Sequence, residues 1–296
     1  MARIFITGSS DGLGALTAQR LLSQGHQVIL HARNPARAAD AQRTTPGATA
    51  CLIGDLSSLD ETKHLAAAAN EHGPYDCVIH NAALGTRASS PALFHVNVLA
   101  PYVLTCLMTP PKRLVYISSG LHRSGRPRLD SLEGSGYSDT KLHDIMLAKA
   151  FARRWEGTAR GVESSNAANP GWVPTKMGGS GAPGDIGKSV DTFAMLALGE
   201  GAAKGVSGKY FHFSTLSPAS LKCSSSTYSF PYGPITVSAV LLHQMTTVLA
   251  LSSSTRWWMV GVKFLKIGMM SPKYFRKEAL SIAGRSRDST HSDFFY

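Results

Sequence analysis

The chain has 296 residues, enough for one large α/β domain with an added segment, and its formal net charge is +11 at pH 7. Residues 1–213 contribute +5 (21 basic, 16 acidic) and residues 214–296 contribute +6 (9 basic, 3 acidic). Because the basic residues of the first part are scattered, the sequence disfavours a nucleic-acid-binding protein. The four cysteines form no CxxC pair and have no histidine partner at ligand spacing, so no metal site is predicted.

Short apolar runs alternate with amphipathic stretches through residues 1–213, a pattern typical of a parallel sheet with helices on both faces. In chain order, the predicted strands cover residues 3–7, 27–32, 48–53, 77–80, 113–118, 162–168 and 208–213. The predicted helices cover residues 13–24, a short stretch after Pro35, and then 59–71, 91–108, 137–155 and 185–198. The fold class is therefore predicted as α/β, a doubly wound parallel sheet of about seven strands.

Residues 214–296 differ in composition, since serine supplies 16 of these 83 positions and acidic residues almost disappear. We predict a single domain over residues 1–213, followed by a divergent, basic and Ser-rich tail that is partly disordered or loosely packed and is not needed for chemistry. The apolar stretch 235–251 contains polar residues and is shorter than the ~20 residues of a membrane span, so no transmembrane helix is expected. Association of residues 235–270 with a membrane surface stays open as an alternative.

The first residues, MARIFITGSS, begin a strand at once. This leaves no room for the charged and apolar regions of a signal peptide, so none is expected. The cysteines fall mostly in apolar runs and suit a reducing compartment. We therefore predict a cytoplasmic location.

The first predicted strand runs into TGSSDGLG, which contains Gly8, Gly12 and Gly14. A glycine turn at this place lets the backbone approach a pyrophosphate, which then lies at the N-terminus of the next helix, where N–H groups point at it. The spacing is not GxGxxG, but the position between the first strand and the first helix predicts a dinucleotide-binding turn.

The stretch YSDTK places Tyr137 and Lys141 four positions apart on a predicted helix, so both side chains project from one face. An ammonium close to a phenol favours the phenolate and lowers its pKa from ~10, which brings proton transfer within reach near neutral pH. The same spacing also occurs by chance in surface helices, so the pair needs support from the rest of the chain.

That support comes from the order in which several motifs follow one another along the chain. TGxxxGxG followed by YxxxK resembles the short-chain dehydrogenase/reductase family, single-domain Rossmann-fold oxidoreductases that use NAD or NADP. Between and after them, over about residues 2–213, come five further matches: Asp55-Leu56, HNAA (80–83), Asn97, Ser118-Ser119 and NPGWVPT (169–175). Each match alone is more simply a helix cap, a buried polar group or a loop residue. Their shared order favours function.

The resemblance implies four catalytic residues. Tyr137 is the expected acid in carbonyl reduction or base in alcohol oxidation, and Lys141 would favour the phenolate and bind the nicotinamide ribose. Ser119 is preferred to Ser118 for orienting the substrate oxygen, because neighbouring residues of a strand point in opposite directions. Asn97 would hold a water that relays protons to the lysine.

The resemblance also implies a cofactor site. Its residues are Gly8, Ser10, Gly12, Leu13, Gly14, Arg33, Asp55, Leu56, Asn81, Ala82, Tyr137, Lys141, Pro170, Gly171, Val173 and Thr175. The second strand ends without an acid for the ribose 2′-hydroxyl but with Arg33, which suits a 2′-phosphate. NADP(H) is therefore predicted, with NAD(H) as the alternative, although Asp11 in the turn is a contrary sign.

The sequence departs from the family pattern in two places. Ala83 replaces a glycine of the family, and 17 residues separate Ser119 from Tyr137, a longer gap than is usual. The insertion 122–134 is predicted to shape the substrate mouth, and residues 170–187 resemble a mobile lid.

The predicted function is an NADP-dependent oxidoreductase that interconverts a carbonyl and a secondary alcohol on a small or medium apolar metabolite. The alternative is a non-catalytic dinucleotide-binding regulator or an inactive remnant of the family. The resemblance also implies a homo-oligomer formed through the fourth and fifth helices.

Overall fold

The computed structural model describes residues 1–158 and 161–220, together with the backbone of 227–230 and 233–236. One sheet contains eight strands: β1 (Arg3–Ile6), β2 (Gln27–Ala32), β3 (Ala50–Ile53), β4 (Cys77–His80), β5 (Arg113–Ile117), β6 (Ser164–Asn169), β7 (Tyr210–His212) and β8 (Thr215–Leu216). Their order is β3-β2-β1-β4-β5-β6-β7-β8. The first seven strands are parallel and β8 is antiparallel to β7. A separate antiparallel pair is formed by β9 (Thr227–Phe230) and β10 (Gly233–Thr236).

The described helices follow the strands in alternation. They are α1 (Gly12–Ser23), α2 (Pro35–Thr44), α3 (Leu59–Glu71), α4 (Ser90–Phe94), α5 (Ala100–Leu107), α6 (Tyr137–Trp155) and α7 (Ile186–Leu198). Alternate residues of the strands feed two cores, since Ile4 and Ile6 join the apolar side chains of α1 and α7. On the other face, Tyr116 of β5 stacks on Phe151 of α6, with ring centroids 6.5 Å apart. The sheet is therefore covered on both sides, as a parallel sheet requires.

This architecture confirms the predicted Rossmann-type α/β fold, with all seven predicted strands present. Asn166, a polar residue of β6, is accommodated because its side chain is paired. Asn166 donates to the Val206 carbonyl (2.7 Å) and accepts from the Lys209 N–H (3.0 Å). A buried polar side chain is tolerated when it is hydrogen-bonded in this way.

The packed domain continues beyond residue 213. Strand β8 was not predicted, because it has only two residues and both are exposed. Past it, the Ser217 N–H donates to the Tyr210 carbonyl (2.9 Å) and Arg123 donates to the Pro218 carbonyl (3.2 Å). The predicted boundary after residue 213 therefore falls within the fold, whose described contacts reach residue 220. The predictions for the rest of the Ser-rich tail and for residues 235–270 fall on residues outside the described side chains.

The predicted helix 91–108 is interrupted. A π-helical turn, His95–Leu99, separates α4 from α5. Within the described part of the chain, Ser90–Leu107 is the segment long and apolar enough to cross a membrane by length and composition, and 67% of it is buried in the domain. A core helix of this fold has the same properties.

Candidate active site

The turn between β1 and α1 requires glycine at three positions. Gly8 and Gly12 have φ of +63° and +54°, in the left-handed region that side chains disfavour. A Cβ on Gly8 would lie 2.8 Å from the Cα of Ala82, and a Cβ on Gly14 would lie 2.5 Å from Nδ2 of Asn81. The glycines therefore let α1 and the segment after β4 approach the turn closely.

Two predicted cofactor residues, Asn81 and Ala82, hold this turn in place. Nδ2 of Asn81 donates to the carbonyls of Thr7 (2.9 Å) and Gly8 (3.1 Å). In return, Oγ1 of Thr7 accepts from the backbone N–H groups of Asn81 and Ala82, at 3.0 Å each. The end of β4 is thereby fixed against the end of β1.

His31 of β2, which the sequence did not single out, also supports the turn. Its Nδ1 accepts from the Gly8 N–H (2.9 Å), so Nε2 carries the proton and donates to the Gly54 carbonyl (2.9 Å). Burial lowers the pKa of His31, which keeps the ring neutral. A single histidine in an apolar strand gives no sequence signal that separates this role from ordinary packing.

Charged groups collect on the open side of the turn. Asp11 caps α1 by accepting from the Gly12 N–H (2.8 Å). Arg37 of α2 donates to Oγ of Ser10 and to Oδ2 of Asp11, both at 3.3 Å, and Lys176 forms an ion pair with Asp11. The hydrogen bond from Lys176 is the main cause that lowers the pKa of Asp11. The two positive charges of Arg37 and Lys176 thus outweigh the negative charge of Asp11, which counted against a phosphate in the sequence.

Asp11 and Lys176 border an open cleft of about 700 Å³. It lies between the glycine turn, α1 and the loop 174–180. The N-terminus of α1, where Asp11 accepts from the Gly12 N–H, and the nearby cations make this cleft suitable for an anion.

The ends of β2 and β3 lie beside the turn. Arg33 follows β2 and is exposed, and its charge acts on Asp55, which follows β3. The Asp55 carboxylate accepts from the N–H (2.9 Å) and hydroxyl (2.7 Å) of Ser57, and the backbone bond is the main cause that lowers its pKa. Leu56 is buried. Asp55 therefore orders its own loop in this structure.

Tyr137 is the first residue of α6 and Lys141 follows one turn later. The Lys141 Nζ lies 5.7 Å from the centroid of the Tyr137 ring. It donates to the Ile117 carbonyl at the end of β5 (2.8 Å) and to Oδ2 of Asp144 (2.9 Å). Lys141 is buried, whereas Tyr137 is partly exposed. The structure thus brings the predicted phenol and ammonium together, with the phenol open to the surface.

The two serines after β5 have different surroundings. Ser118 is buried and its hydroxyl donates to the Lys141 carbonyl (2.6 Å). Ser119 is partly exposed and its Oγ accepts from the Leu121 N–H (3.3 Å), which caps the 3₁₀ turn Gly120–Ser124. Ser119 is thus the more exposed of the two, and its role in orienting the substrate oxygen stays a prediction.

Asn97 lies in the π-helical turn and is buried. Its Oδ1 accepts from the Leu84 N–H (2.7 Å), and Nδ2 donates to the Leu84 carbonyl and to Oγ1 of Thr140, both at 3.1 Å. Single π-helical turns within helices are frequent at functional sites. Through Asn97, this turn ties the segment after β4 to α6. The water relay expected of Asn97 stays a prediction.

The predicted cofactor-site residues that begin at Pro170 follow β6. Gly171 has φ of +79°, and a Cβ there would lie 2.9 Å from the Phe213 ring. Val173 is buried, and a Cβ on Gly12 would lie 3.9 Å from the Thr175 methyl carbon. The loop after β6 therefore returns to the glycine turn, and the ion pair of Lys176 with Asp11 holds it there.

The insertion 122–134 is pinned to α6. Asp139 accepts from the Arg126 N–H and from Nε of Arg128, both at 2.7 Å, and His143 bonds the Pro127 carbonyl. The insertion therefore forms a fixed wall beside the first turns of α6.

Three exposed apolar side chains lie on loops at the same edge of the sheet, after β5 and β6. They are Leu121, Trp172 and Met177, which are 51%, 64% and 53% exposed. His80, at the end of β4, is instead a core residue that donates to Thr105, and burial lowers its pKa to about 3. Among the described residues, no group of three or more His, Cys, Asp or Glu could hold a metal ion.

The predicted site residues all follow the carboxyl ends of strands or lie on α6 and the π-helical turn. In doubly wound sheets, ligands bind at this edge, where the order of the strands reverses. Here the reversal falls between β1 and β4. The arrangement combines an anion-binding turn, a phenol with an adjacent ammonium, and a partly exposed serine.

Several known proteins are similar in sequence to this chain over most of the described domain. A family model described as short chain dehydrogenase matches residues 2–184. An uncharacterized oxidoreductase of Emericella nidulans is 52% identical over 223 residues, covering 71% of this chain and 86% of that protein. A short-chain dehydrogenase of Penicillium rubens, chyC, is 41% identical over 228 residues, with the same coverage of 71% and 86%.

A solved short-chain dehydrogenase from Shigella flexneri, complexed with NADP, has the same fold. Its TM-score is 0.58 at 23% identity, covering 72% of this chain and 97% of that one. The family model covers more than half of the chain, and the two fungal relatives align well beyond its end. The chain therefore belongs to the short-chain dehydrogenase/reductase family of NAD(P)-dependent oxidoreductases.

Proposed function

We propose that the protein is an NADP-dependent oxidoreductase that interconverts a carbonyl and a secondary alcohol on a small or medium apolar metabolite. The observation that carries this proposal is the pairing of Tyr137 with Lys141 at the edge of the sheet that also holds the glycine turn. Tyr137 is open to a ligand, while the ammonium beside it is buried and charged. This is the arrangement that a proton donor to a carbonyl oxygen needs.

The residues present suit a nicotinamide dinucleotide. A side chain at Gly8 or Gly14 would clash with Ala82 or Asn81 and displace the turn against which the pyrophosphate would lie, and the α1 N-terminus favours its charge. When bound, the cofactor supplies or accepts the hydride. Tyr137 would give a proton to the carbonyl oxygen, Ser119 would orient that oxygen, and Lys141 would keep a positive charge beside the phenol.

The preference for NADP(H) rests on cations at the ribose end. Arg33 follows β2 where an NAD-binding acid would stand, and Arg37 lies 3.3 Å from the Ser10 hydroxyl. NADP in the similar Shigella flexneri structure is consistent with this choice. Arg33→Asp should weaken NADPH binding relative to NADH, measured as the ratio of the two Kd values. An unchanged ratio in both Arg33→Asp and Arg37→Gln would refute the preference.

The proposed substrate class rests on the apolar groups at the mouth. Leu121, Trp172 and Met177 are each more than half exposed although they are large apolar residues. Such groups on the loops that border a reacting centre favour an apolar ligand. A panel of ketones and aldehydes of increasing apolar length should show kcat/KM rising with apolar surface. A preference for charged or polyhydroxylated carbonyls would contradict this.

The catalytic role is tested with Tyr137→Phe, which removes only the hydroxyl. Loss of a general acid should lower kcat for NADPH-dependent carbonyl reduction by about 100-fold or more, with little change in the Kd of NADPH. Tyr75→Phe is the matched control, since the Tyr75 hydroxyl donates to the Ala69 carbonyl (2.8 Å) in the core. NADPH binding by the wild type without turnover of any carbonyl would instead favour the non-catalytic regulator.

A further inference from the structure

A buried carboxylate lies directly behind the predicted catalytic lysine. Asp144 is three residues after Lys141 on α6, and its Oδ2 accepts from the Lys141 Nζ at 2.9 Å. Both side chains are almost fully buried, with 4% of Lys141 and 3% of Asp144 exposed. The contact of Asp144 with Lys141 is therefore made inside the domain, away from solvent.

Such a pair is not explained by stability. Removing two charges from water costs several kcal/mol per ion, and a buried ion pair is often no more stabilising than apolar residues of similar volume. The neighbouring positions of α6, Leu142 and Ile145, are apolar and completely buried. A carboxylate in this core therefore needs a reason other than packing, and its partner is the residue beside the reacting phenol.

The hydrogen bonds of the Lys141 ammonium determine its orientation. An ammonium has three N–H donors. One bonds the Ile117 carbonyl at 2.8 Å and one bonds Asp144. The third N–H has no partner among the described residues, and the Tyr137 ring centroid lies 5.7 Å from Nζ. The carbonyl and the carboxylate together fix the direction of this remaining N–H.

The surrounding charges favour an ionised pair at neutral pH. Burial opposes the charge on Lys141, but Asp144 and Tyr137 outweigh it and raise the pKa of the ammonium. Burial raises the pKa of Asp144 to about 6 against the opposing effect of Lys141. Tyr116 of β5 faces the Asp144 carboxylate, and burial raises the pKa of this tyrosine, so its phenol stays neutral. The neighbouring Cys106 thiol of α5 also stays neutral, because burial raises its pKa to about 12.

We propose that Asp144 is a positioning residue for Lys141, one that keeps its ammonium charged inside the domain and directs one N–H toward the phenol and the cofactor ribose. The inference rests on the proposed function, because it assigns Lys141 to the reacting centre. It adds a second buried charge to that centre, with no contact to the substrate. Without the carboxylate, only the contribution of Tyr137 would oppose the effect of burial on Lys141, and the balance would move toward the neutral amine.

The test is the pH dependence of NADPH binding, followed by nicotinamide fluorescence, in the full-length protein and in Asp144→Asn. The amide keeps the shape and an acceptor but removes the charge. In the wild type, Lys141 should stay charged and show no loss of affinity between about pH 6.5 and about pH 9. In Asp144→Asn, the Kd should rise by about tenfold or more over the same range, as the lysine loses its proton. Reversal of this loss at the lower pH would show that the fold is intact.

Asp139→Asn is the matched control. Asp139 lies on the same helix and bonds Arg126 and Arg128. Its substitution should leave the pH dependence of NADPH binding as in the wild type. The same pH dependence in Asp144→Asn as in the wild type would overturn the proposal.

A second variant covers the case in which Asp144→Asn does not fold. Asp144→Glu keeps the charge but lengthens the side chain, so binding should show no new loss at high pH, whereas kcat should fall by about tenfold because Nζ is displaced. Wild-type kcat in this variant would also overturn the proposal. A wild type that binds NADPH but reduces no carbonyl would refute the proposed function, while the binding measurements would still test the role of Asp144.

Discussion

Replacing Gly14 by alanine tests whether the glycine turn is shaped by close backbone approach. The added Cβ would lie 2.5 Å from Nδ2 of Asn81 and 2.6 Å from the Gly8 carbonyl oxygen. Neither atom moves freely, because Asn81 bonds the carbonyls of Thr7 and Gly8, and the Gly8 N–H bonds His31. The clash must therefore be relieved by shifting α1 or the turn itself.

The expected magnitude follows from two opposing effects. Overpacking at a fixed site costs about 3 kcal/mol at the upper end of the usual range, and alanine is favoured over glycine in a helix by about 1 kcal/mol. The net loss of about 2 kcal/mol in the free energy of unfolding corresponds to a fall in Tm of roughly 4–8 °C for a domain of this size. The displaced turn should also raise the Kd of NADPH by about tenfold or more, since small misplacements in a binding site are costly.

Gly25→Ala separates the effect on stability from the effect on NADPH affinity. Gly25 has φ of +80° and no heavy atom within 4 Å of an added Cβ. Alanine there is strained by about 1–2 kcal/mol but lies away from the turn, so Tm should fall without a change in NADPH affinity. Thermal unfolding and a fluorescence titration on both variants decide the matter. Equal NADPH affinity in the Gly14 and Gly25 variants would refute the reasoning.

Three further predictions follow from the contacts around the site. Ser118→Ala removes a buried hydrogen bond to a carbonyl that still accepts within α6, and it should lower the free energy of unfolding by about 0.5–1.5 kcal/mol. Ser119→Ala should instead lower kcat and leave Tm unchanged, and the reverse pattern would contradict the assignment. Burial raises the pKa of Asp139, but hydrogen bonds from the insertion outweigh it and lower that pKa below its ordinary value of 3.8. The stabilisation by Asp139 is thus present above pH 3.8 and lost as the pH falls through the lowered value. The Tm difference between wild type and Asp139→Asn should therefore shrink as the pH falls below 3.8, and a constant difference would argue against this. Truncation after Phe213 removes β8 and should lower Tm more than truncation after Ser220, and equal Tm values would place the end of the packed domain earlier.

The sequence was sufficient for most of the fold because hydrophobic patterning and glycine signals are local. The helix 137–155 was predicted with the bounds that the structure shows, since its apolar residues and Trp155 define it clearly. Strand β6 was predicted in spite of its polar residues, and tertiary hydrogen bonds explain how Asn166 is buried. Strand β8 could not be predicted, because two exposed residues carry no pattern.

Sequence motifs marked some residues of the candidate site, whereas residues that are positioned by tertiary contacts were missed. The pair of Tyr137 and Lys141 follows from helical spacing alone. His31 and Arg37 act through partners that are distant in sequence, so no local pattern marks them. Asp144 is only three residues from Lys141, but the sequence does not show that this pair is buried. Their roles follow only from the packing of β2, α2 and α6 around the turn and the lysine.

The most direct test of the account is a titration of the purified full-length protein with NADPH and NADH, followed by nicotinamide fluorescence, with Lys141→Ala in parallel. The account predicts tighter binding of NADPH than of NADH, and weaker binding of both in the variant, because the ammonium no longer reaches the ribose. Binding of neither nucleotide, or equal binding by the wild type and Lys141→Ala, would contradict the assignment of this edge of the sheet as a nicotinamide site.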